Sequence, residues 1–278
     1  MRLGGPVFVD ASDPDRYCAS ARADGYGAIF CPIEPGASDS AVKDLLQAVA
    51  KYDLVIAETG AWSNPISPDP VERKNAVDKC KASLALAERV GARCCVNIAG
   101  SCGSKWDGPD ARDLTRQTFD LIVQSVRDIV DAVRPTRTFY ALETMPWMYP
   151  DSPDSYLDLI KAIDRPGVAV HLDPVNLVNS PTRFFNNGQL IRECFAKLGP
   201  MIKSCHGKDI ALRPHLTVHL DEVRPGTGSL NYGLFLTLIE GLGPDTPLML
   251  EHLPNPEEYG LARDFVRAKA GEIGVTLR

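Results

Sequence analysis

Short apolar runs alternate with amphipathic segments along the whole chain. Eight apolar runs are bounded by glycine, proline or polar residues, which is typical of buried parallel strands. The runs predict strands at residues 7–9, 28–30, 54–57, 93–98, 138–142, 168–172, 201–205 and 247–250.

Segments with helical periodicity lie between these runs. In segment 71–90, Cys80, Leu84 and Ala87 recur at spacings of three or four residues, and Gly91 follows as a stop signal. The same periodicity predicts further helices at residues 114–133, 155–163, 188–198, 232–241 and 256–271.

Repeated strand–helix alternation within 278 residues predicts an α/β fold, specifically a (β/α)8 TIM barrel. A doubly wound open sheet is the main alternative. That architecture usually has a glycine-rich turn after its first strand, and none follows residue 9. We find no linker-like run and no internal repeat, so residues 1–278 are predicted to form one domain.

Composition and charge narrow the range of functions. Hydrophobic residues make up 44% and charged residues 24% of the chain, which excludes a disordered, collagenous or coiled-coil protein. The formal net charge of -6 argues against a nucleic-acid partner, because such proteins usually present a basic face. No apolar run is long enough to span a membrane, and residues 1–6 lack a signal-peptide pattern. The eight cysteines lack CxxC spacing, so we expect reduced thiols and a cytoplasmic location.

Ionisable side chains stand at the ends of the last four predicted strands. Carboxyl ends of barrel strands converge on one mouth, where active sites are built. A single acid at a strand end is more often a helix cap or a surface charge, but four such residues in order indicate a site. Three carboxylates and one imidazole suit Mn²⁺, Mg²⁺ or Co²⁺ better than a structural zinc. The four residues are Glu143, Asp173, His206 and Glu251.

Strand alternation adds two candidates for this site, because residues i and i+2 share a face. His171 points the same way as Asp173, where it could orient that ligand, contact substrate or simply be a buried histidine. Lys208 points the same way as His206 if the strand continues. It could contact substrate, or form an ion pair with its neighbour Asp209.

Other candidate substrate contacts lie in the predicted loops. Trp147 follows strand five, while Trp62 and Trp106 follow strands three and four. Such aromatic residues can stack on a sugar or exclude water, or they can pack the loops. Arg224 could bind a carboxylate or phosphate, with a solvated surface arginine as the ordinary alternative. Glu58 lies near the end of strand three, and nothing in the sequence assigns it a role.

Five short motifs carry a family resemblance. They are ALETMP at 141–146, HLDPVN at 171–176, SCHGKD at 204–209, RPGTGSLNY at 224–232 and MLEH at 249–252. In this order they resemble the xylose-isomerase-like sugar phosphate isomerase/epimerase superfamily, which includes ketose 3-epimerases, hydroxypyruvate isomerase and inosose dehydratase.

The resemblance implies a barrel with one divalent metal, held by Glu143, Asp173, His206 and Glu251. It further implies that Glu143 and Glu251 exchange the substrate proton as an acid/base pair, on a keto-sugar or hydroxy-keto acid, through a metal-stabilised enediolate. We expect Mn²⁺, with Mg²⁺, Co²⁺ and Zn²⁺ as alternatives. Relatives are often dimers or tetramers, so a homo-oligomer is also expected.

Two positions depart from the resembled epimerases. Asn176 stands where they carry a histidine, and Tyr149 where they carry a second glutamate; both family residues help to hold the substrate. Asn176 is kept as a candidate substrate contact. The departures leave open a metal-dependent lyase, which would use the same metal centre for dehydration, decarboxylation or loss of a glycosyl group. A phosphodiesterase and a non-catalytic metabolite-binding barrel are the remaining alternatives.

Overall fold

Eight parallel strands close into a barrel in the computed structural model, which describes residues 1–278. In chain order the strands are β1 (Arg2–Gly4), β2 (Ala28–Phe30), β3 (Val55–Gly60), β4 (Cys94–Asn97), β5 (Tyr140–Glu143), β6 (Val168–Leu172), β7 (Ile202–Gly207), β8 (Asp209–Arg213), β9 (His219–Val223) and β10 (Pro247–Leu250). The barrel order is β1-β10-β7-β6-β5-β4-β3-β2, and the remaining strands β8 and β9 form an antiparallel hairpin. The predicted TIM barrel is therefore confirmed.

Helices surround the barrel, and the six predicted from periodicity are all present. The helix Pro70–Val90 begins after Asp69, whose carboxylate accepts hydrogen bonds from two backbone N–H groups, and is followed by Gly91 in a left-handed conformation. No helix in the structure combines the length and apolar character that crossing a membrane requires. The helices are α1 (Pro14–Ala23), α2 (Asp39–Lys51), α3 (Pro70–Val90), α4 (Arg116–Val133), α5 (Pro153–Ile163), α6 (Pro181–Phe185), α7 (Asn187–Leu198), α8 (Tyr232–Leu242) and α9 (Pro256–Ile273).

The first barrel strand lies earlier than predicted. The apolar run 7–9 is a loop in which Phe8 is 54% exposed, whereas Arg2–Gly4 pairs with β10. The charged residue Arg2 interrupts the apolar pattern, so the sequence does not predict a strand here. In the structure its guanidinium is neutralised by contacts of 2.9 Å with both Asp53 and Asp245. Burial against β10 therefore outweighs the higher β-propensity of residues 7–9.

The β8–β9 hairpin occupies the long segment between β7 and α8 and is anchored by Asp209. The Asp209 carboxylate accepts hydrogen bonds of 2.8–3.0 Å from the backbone N–H groups of Ile210, Gly226, Gly228 and Leu230. The side chain is buried. It therefore ties the base of the hairpin to the loop that precedes α8.

Replacing Asp209 by alanine should lower the free energy of unfolding by about 3 kcal/mol, because four backbone N–H groups, of which those of Ile210 and Leu230 are buried, lose a charged acceptor. Denaturant unfolding followed by circular dichroism measures this loss. Asp221→Ala is the matched control, since Asp221 pairs with Arg213 on the exposed part of the same hairpin and should change stability little. Equal losses in both variants would contradict the anchoring role.

Candidate metal centre

The structure brings the four residues predicted at strand ends together at one mouth of the barrel. Glu143 ends β5, Asp173 follows β6, His206 lies within β7 and Glu251 follows β10. Their potential ligand atoms all lie within 4.8 Å of one another. Glu143, Asp173 and His206 are buried, and Glu251 is half-buried.

His206 stands between carboxylates on both sides of its ring. Its Nδ1 is 3.1 Å from Glu143 Oε1 and 2.8 Å from Glu251 Oε1. Its Nε2 faces the other way and is 3.3 Å from Glu58 Oε1. The second oxygen of Glu58 is 3.0 Å from His171 Nε2, so one buried carboxylate contacts both imidazoles. His171 therefore supports His206 through Glu58, and its contact is not with Asp173 as its strand position suggested.

Lys208 supplies a buried ammonium to the same cluster. Its Nζ is 2.6 Å from Glu251 Oε1 and 2.8 Å from Asp173 Oδ2, and it lies 3.7 Å from Glu143 Oε1. The alternative of an ion pair with Asp209 is wrong, because the Asp209 carboxylate is engaged by backbone N–H groups. Lys208 instead balances part of the charge of the cluster.

Burial and mutual charge set the protonation of the cluster. Burial, reinforced by repulsion from Glu143 and Glu251, raises the pKa of Asp173 to about 6 despite the opposing ammonium of Lys208. Burial also acts to raise the pKa values of Glu143 and Glu251, but the opposing charge of His206 outweighs it and lowers both. The positive charge of His206 therefore favours the ionised forms of Glu143 and Glu251 inside the barrel, whereas burial favours the protonated form of Asp173.

The donor set fits a divalent cation. Three carboxylates and one imidazole nitrogen are hard-to-borderline ligands. With Glu58, the carboxylates outnumber the two cationic side chains that face them, His206 and Lys208. Asp173 Oδ2 and Glu251 Oε1 are buried without any hydrogen bond, although both lie near Lys208. The Glu58 carboxylate contacts His206 Nε2, the ring nitrogen that faces away from Glu143 and Glu251. Metal-bound histidines commonly have a carboxylate partner of this kind.

The remaining predicted substrate contacts lie at different distances from the cluster. Asn176 is adjacent, and its Nδ2 donates to Glu143 Oε1 over 3.2 Å. Trp147 lies further out, where its Nε1 donates to the Asp107 carbonyl over 3.1 Å. Arg224 pairs with Glu258 at 2.8 Å, and it is not part of the wall of the cavity over the cluster.

Three residues at the cluster had no predicted role. Glu58 lies within β3, which continues to Gly60 beyond its predicted end. Glu222 of the hairpin and His252 form a pair at the rim, with His252 Nδ1 3.2 Å from Glu222 Oε1. The sequence signal for Glu58 is an acid directly after an apolar run, the same signal that marks Glu143 and Glu251. Glu222 has no comparable signal, because it reaches the cluster only through the hairpin.

A cavity of about 500 Å³ opens over the cluster and is a size typical of small-molecule sites. Glu58, Glu143 and Glu251 form its floor, and His252 lies on its wall. The other wall residues are mostly aromatic: Phe30, Trp62, Trp106 and Tyr259. The arrangement therefore combines a charged floor with apolar ring faces.

These features define a barrel protein with a candidate metal centre at the carboxyl ends of its strands. The family model described as xylose isomerase-like TIM barrel matches residues 18–269, and the chain belongs to that family. The resemblance drawn from the sequence motifs is confirmed. No curated protein matches the chain.

Solved structures of similar fold differ in their activities. D-psicose 3-epimerase from Clostridium cellulolyticum H10, solved with D-tagatose, is 17% identical, with a TM-score of 0.67 and coverage of 96% of this chain and 99% of that chain. The probable 3-DHS dehydratase AsbF from Bacillus anthracis is 17% identical, with a TM-score of 0.70 and coverage of 96% and 97%. Endonuclease IV from Thermus thermophilus is 14% identical, with a TM-score of 0.75 and coverage of 98% and 100%. At these identities the likeness shows the fold alone.

Proposed function

We propose that this protein is a divalent-metal-dependent isomerase or epimerase, acting on a keto-sugar or a hydroxy-keto acid through an enediolate. The observation that carries the proposal is the convergence of Glu143, Asp173, His206 and Glu251 within 4.8 Å. Family membership and an epimerase among the structures of similar fold support it. We propose Mn²⁺ as the metal because three carboxylates and one imidazole are donors that suit this ion.

Glu143 and Glu251 are the proposed acid/base pair. They approach His206 Nδ1 from two different strands, β5 and β10, so they can face opposite sides of a substrate held between them. One carboxylate then removes a proton from carbon while the other returns a proton to the opposite face. A bound divalent cation would polarise the substrate carbonyl and stabilise the charge that develops on its oxygen.

Asn176 and Lys208 prepare the pair for this exchange. The Asn176 amide donates to Glu143 Oε1 and so fixes the orientation of that carboxylate. The Lys208 ammonium contacts Glu251 and Asp173. Its positive charge offsets part of the negative charge around Glu251. Both are therefore positioning residues.

Metal content and solvent exchange test the proposal together. The purified protein should hold about one divalent ion per chain, measured by elemental analysis after reconstitution with Mn²⁺. In D₂O the loaded protein should place deuterium on carbon in at least one member of a keto-sugar and hydroxy-keto-acid panel, followed by NMR. Protein treated with a chelator is the control and should lose the exchange. Failure to bind any divalent ion would remove the basis for the mechanism.

A metal-dependent lyase is the second candidate, and the surroundings of Tyr149 favour it. The Tyr149 hydroxyl donates to the Leu114 carbonyl and its ring packs against Phe119, so this position provides no counterpart of the second epimerase glutamate. A lyase would use the same proton abstraction and release a hydroxyl, a glycosyl group or CO₂. Mass change in the product supports the lyase, and inversion of configuration without loss of atoms supports the epimerase.

A further inference from the structure

Two neighbouring cavities share the side chains of Trp62 and Trp106. The first is the 500 Å³ cavity over Glu143 and Glu251. The second, of about 320 Å³, also has both tryptophans in its lining. Because both tryptophans line both cavities, they mark the passage between the metal centre and the second cavity.

We propose that the second cavity is a subsite for the second ring of an uncharged keto-glycoside, whose keto-sugar ring occupies the first cavity. This inference rests on the proposed function, since it specifies the substrate class of the same centre. The attached ring would pack against Trp62 and Trp106 and extend beyond them. The substrate would then be larger than a monosaccharide.

The charges of the first cavity favour an uncharged substrate. The charged residues of its lining are Glu58, Asp107, Glu143, Glu251 and His252. The nearest ammonium, that of Lys208, lies outside this lining and is already engaged by Glu251 and Asp173. A phosphate or carboxylate group on the substrate would face carboxylates without a bidentate partner. Only a group that coordinates the metal directly would escape this repulsion.

The two indoles are held in place before any ligand binds. Trp62 Nε1 lies so close to Gly60 that a Cβ at this glycine would stand 2.5 Å from it. Lys79 Nζ donates to the Trp62 carbonyl over 3.0 Å. The loop that carries Trp106 is held by Trp147, which donates to the Asp107 carbonyl. Rigid aromatic faces offer large contact areas at a low entropic cost.

The lining of the second cavity suits the ring of a sugar or an aglycone. Besides the two tryptophans, its lining contains a hydroxyl, two amides and an apolar side chain, from Ser63, Asn64, Asn75 and Ala76. Its two charged residues have opposite signs and are already hydrogen-bonded within the protein: Glu72 accepts from Ser67, and Lys79 donates to the Trp62 carbonyl. Such a mixture can accept both the hydroxyl groups and the apolar face of a ring.

Exchange kinetics on matched substrates test the subsite. We compare deuterium incorporation into 3-keto-D-glucose, phenyl 3-keto-D-glucoside in both anomers, and the 6-phosphate of each glucoside. The phenyl glucoside of the accepted anomer should show a kcat/KM about 10-fold above 3-keto-D-glucose, mainly through KM. Its 6-phosphate should react more slowly. Faster reaction of the 6-phosphate would overturn the uncharged substrate, and equal kcat/KM for one and two rings would overturn the subsite.

Substitutions test whether the tryptophans cause the higher kcat/KM of the phenyl glucoside. Trp62 and Trp106 line both cavities, so Trp62→Leu and Trp106→Leu should each lower kcat/KM for both substrates, but the loss should be several-fold larger for the phenyl glucoside and should remove most of the preference for it. Phe185→Leu is the control, because Phe185 is an exposed aromatic residue that lines neither cavity. Equal losses on both substrates would show that the tryptophans act only on loop structure.

Direct binding separates failure of the subsite from failure of the proposed function. Phenyl D-glucoside, which lacks the ketone, should bind about 10-fold more tightly than methyl D-glucoside in calorimetric titrations of the metal-loaded protein. Trp62→Leu and Trp106→Leu should abolish this difference. Trp-dependent binding without exchange of any keto-sugar would refute the proposed function and support the subsite. Equal affinities for the two glucosides in the unsubstituted protein would refute the subsite.

Discussion

Replacing Glu251 by glutamine should lower kcat/KM for the proposed isomerisation by about 10³-fold, because the variant loses a metal ligand and one of two proton-transfer groups. Glutamine preserves the volume of the side chain, so the barrel should keep its fold. The carboxylate it replaces lies 2.8 Å from His206 Nδ1 and 2.6 Å from Lys208 Nζ. Both contacts lose a full negative charge in the variant.

Metal titration separates the two losses. At saturating Mn²⁺ the deficit in metal binding is removed, and the activity loss that persists reports proton transfer. Glu257→Gln is the control, since Glu257 is an exposed acid in the first turn of α9 and should leave both quantities unchanged. Wild-type activity of Glu251→Gln would refute the assigned role of Glu251.

A comparison of Glu143→Gln with Glu251→Gln tests which face of the substrate each glutamate serves. If each glutamate serves one face of the substrate, either variant should still exchange deuterium into one epimer without forming the other. The two variants should then label opposite epimers. NMR of the recovered sugars distinguishes this pattern from uniform loss. The same epimer labelled in both variants would contradict the two-face arrangement.

The sequence predicted the barrel and the cluster of four residues for the same physical reason. Parallel strands buried on both faces are short apolar runs, and their ends are where the apolar pattern stops. Glu143, Asp173, His206 and Glu251 each stand at such a stop, and barrel closure brings these ends together. No knowledge of pairing register was needed to find them.

Contacts across the barrel interior could not be predicted in this way. Glu58 on β3 meets His171 on β6 and His206 on β7, although neither of these strands is a neighbour of β3 in the barrel. Such contacts depend on the register of the strands. The partners of Lys208 are unpredictable for the same reason, since Asp173 and Glu251 follow other strands whereas Asp209 is adjacent in the chain.

The position of β1 shows a different limit of prediction from the apolar pattern. Residues 7–9 are more apolar than Arg2–Gly4 and were predicted as the strand. Gly4 is decisive in the structure, because a Cβ there would stand 2.5 Å from both the Met249 Sδ and the Ala28 carbonyl oxygen. The close approach of β1 to its neighbours therefore selects a segment with weak strand propensity.

Glu58 leads to the second prediction of large effect. Glu58→Gln should weaken the affinity for Mn²⁺ by about 10- to 100-fold, because the carboxylate that orients His206 and increases its basicity becomes a neutral amide. Burial acts to raise the pKa of Glu58, but the neighbouring His171 and His206 outweigh burial and lower it to about 2. Glu58 is therefore ionised across the working pH range, and its charge is what the substitution removes.

Competition titration with a calibrated chelator measures the Mn²⁺ affinity of Glu58→Gln, and thermal unfolding of metal-free protein is recorded beside it. A purely structural role would lower the unfolding midpoint and leave the affinity of the folded protein unchanged. The proposed positioning role instead requires a weaker affinity at temperatures where the variant is fully folded. Glu34→Gln is the control, since Glu34 is an exposed acid after β2 and should bind Mn²⁺ like the unsubstituted protein. An unchanged affinity in Glu58→Gln would mean that His206 is oriented by the barrel backbone alone, without help from the carboxylate on its outer nitrogen.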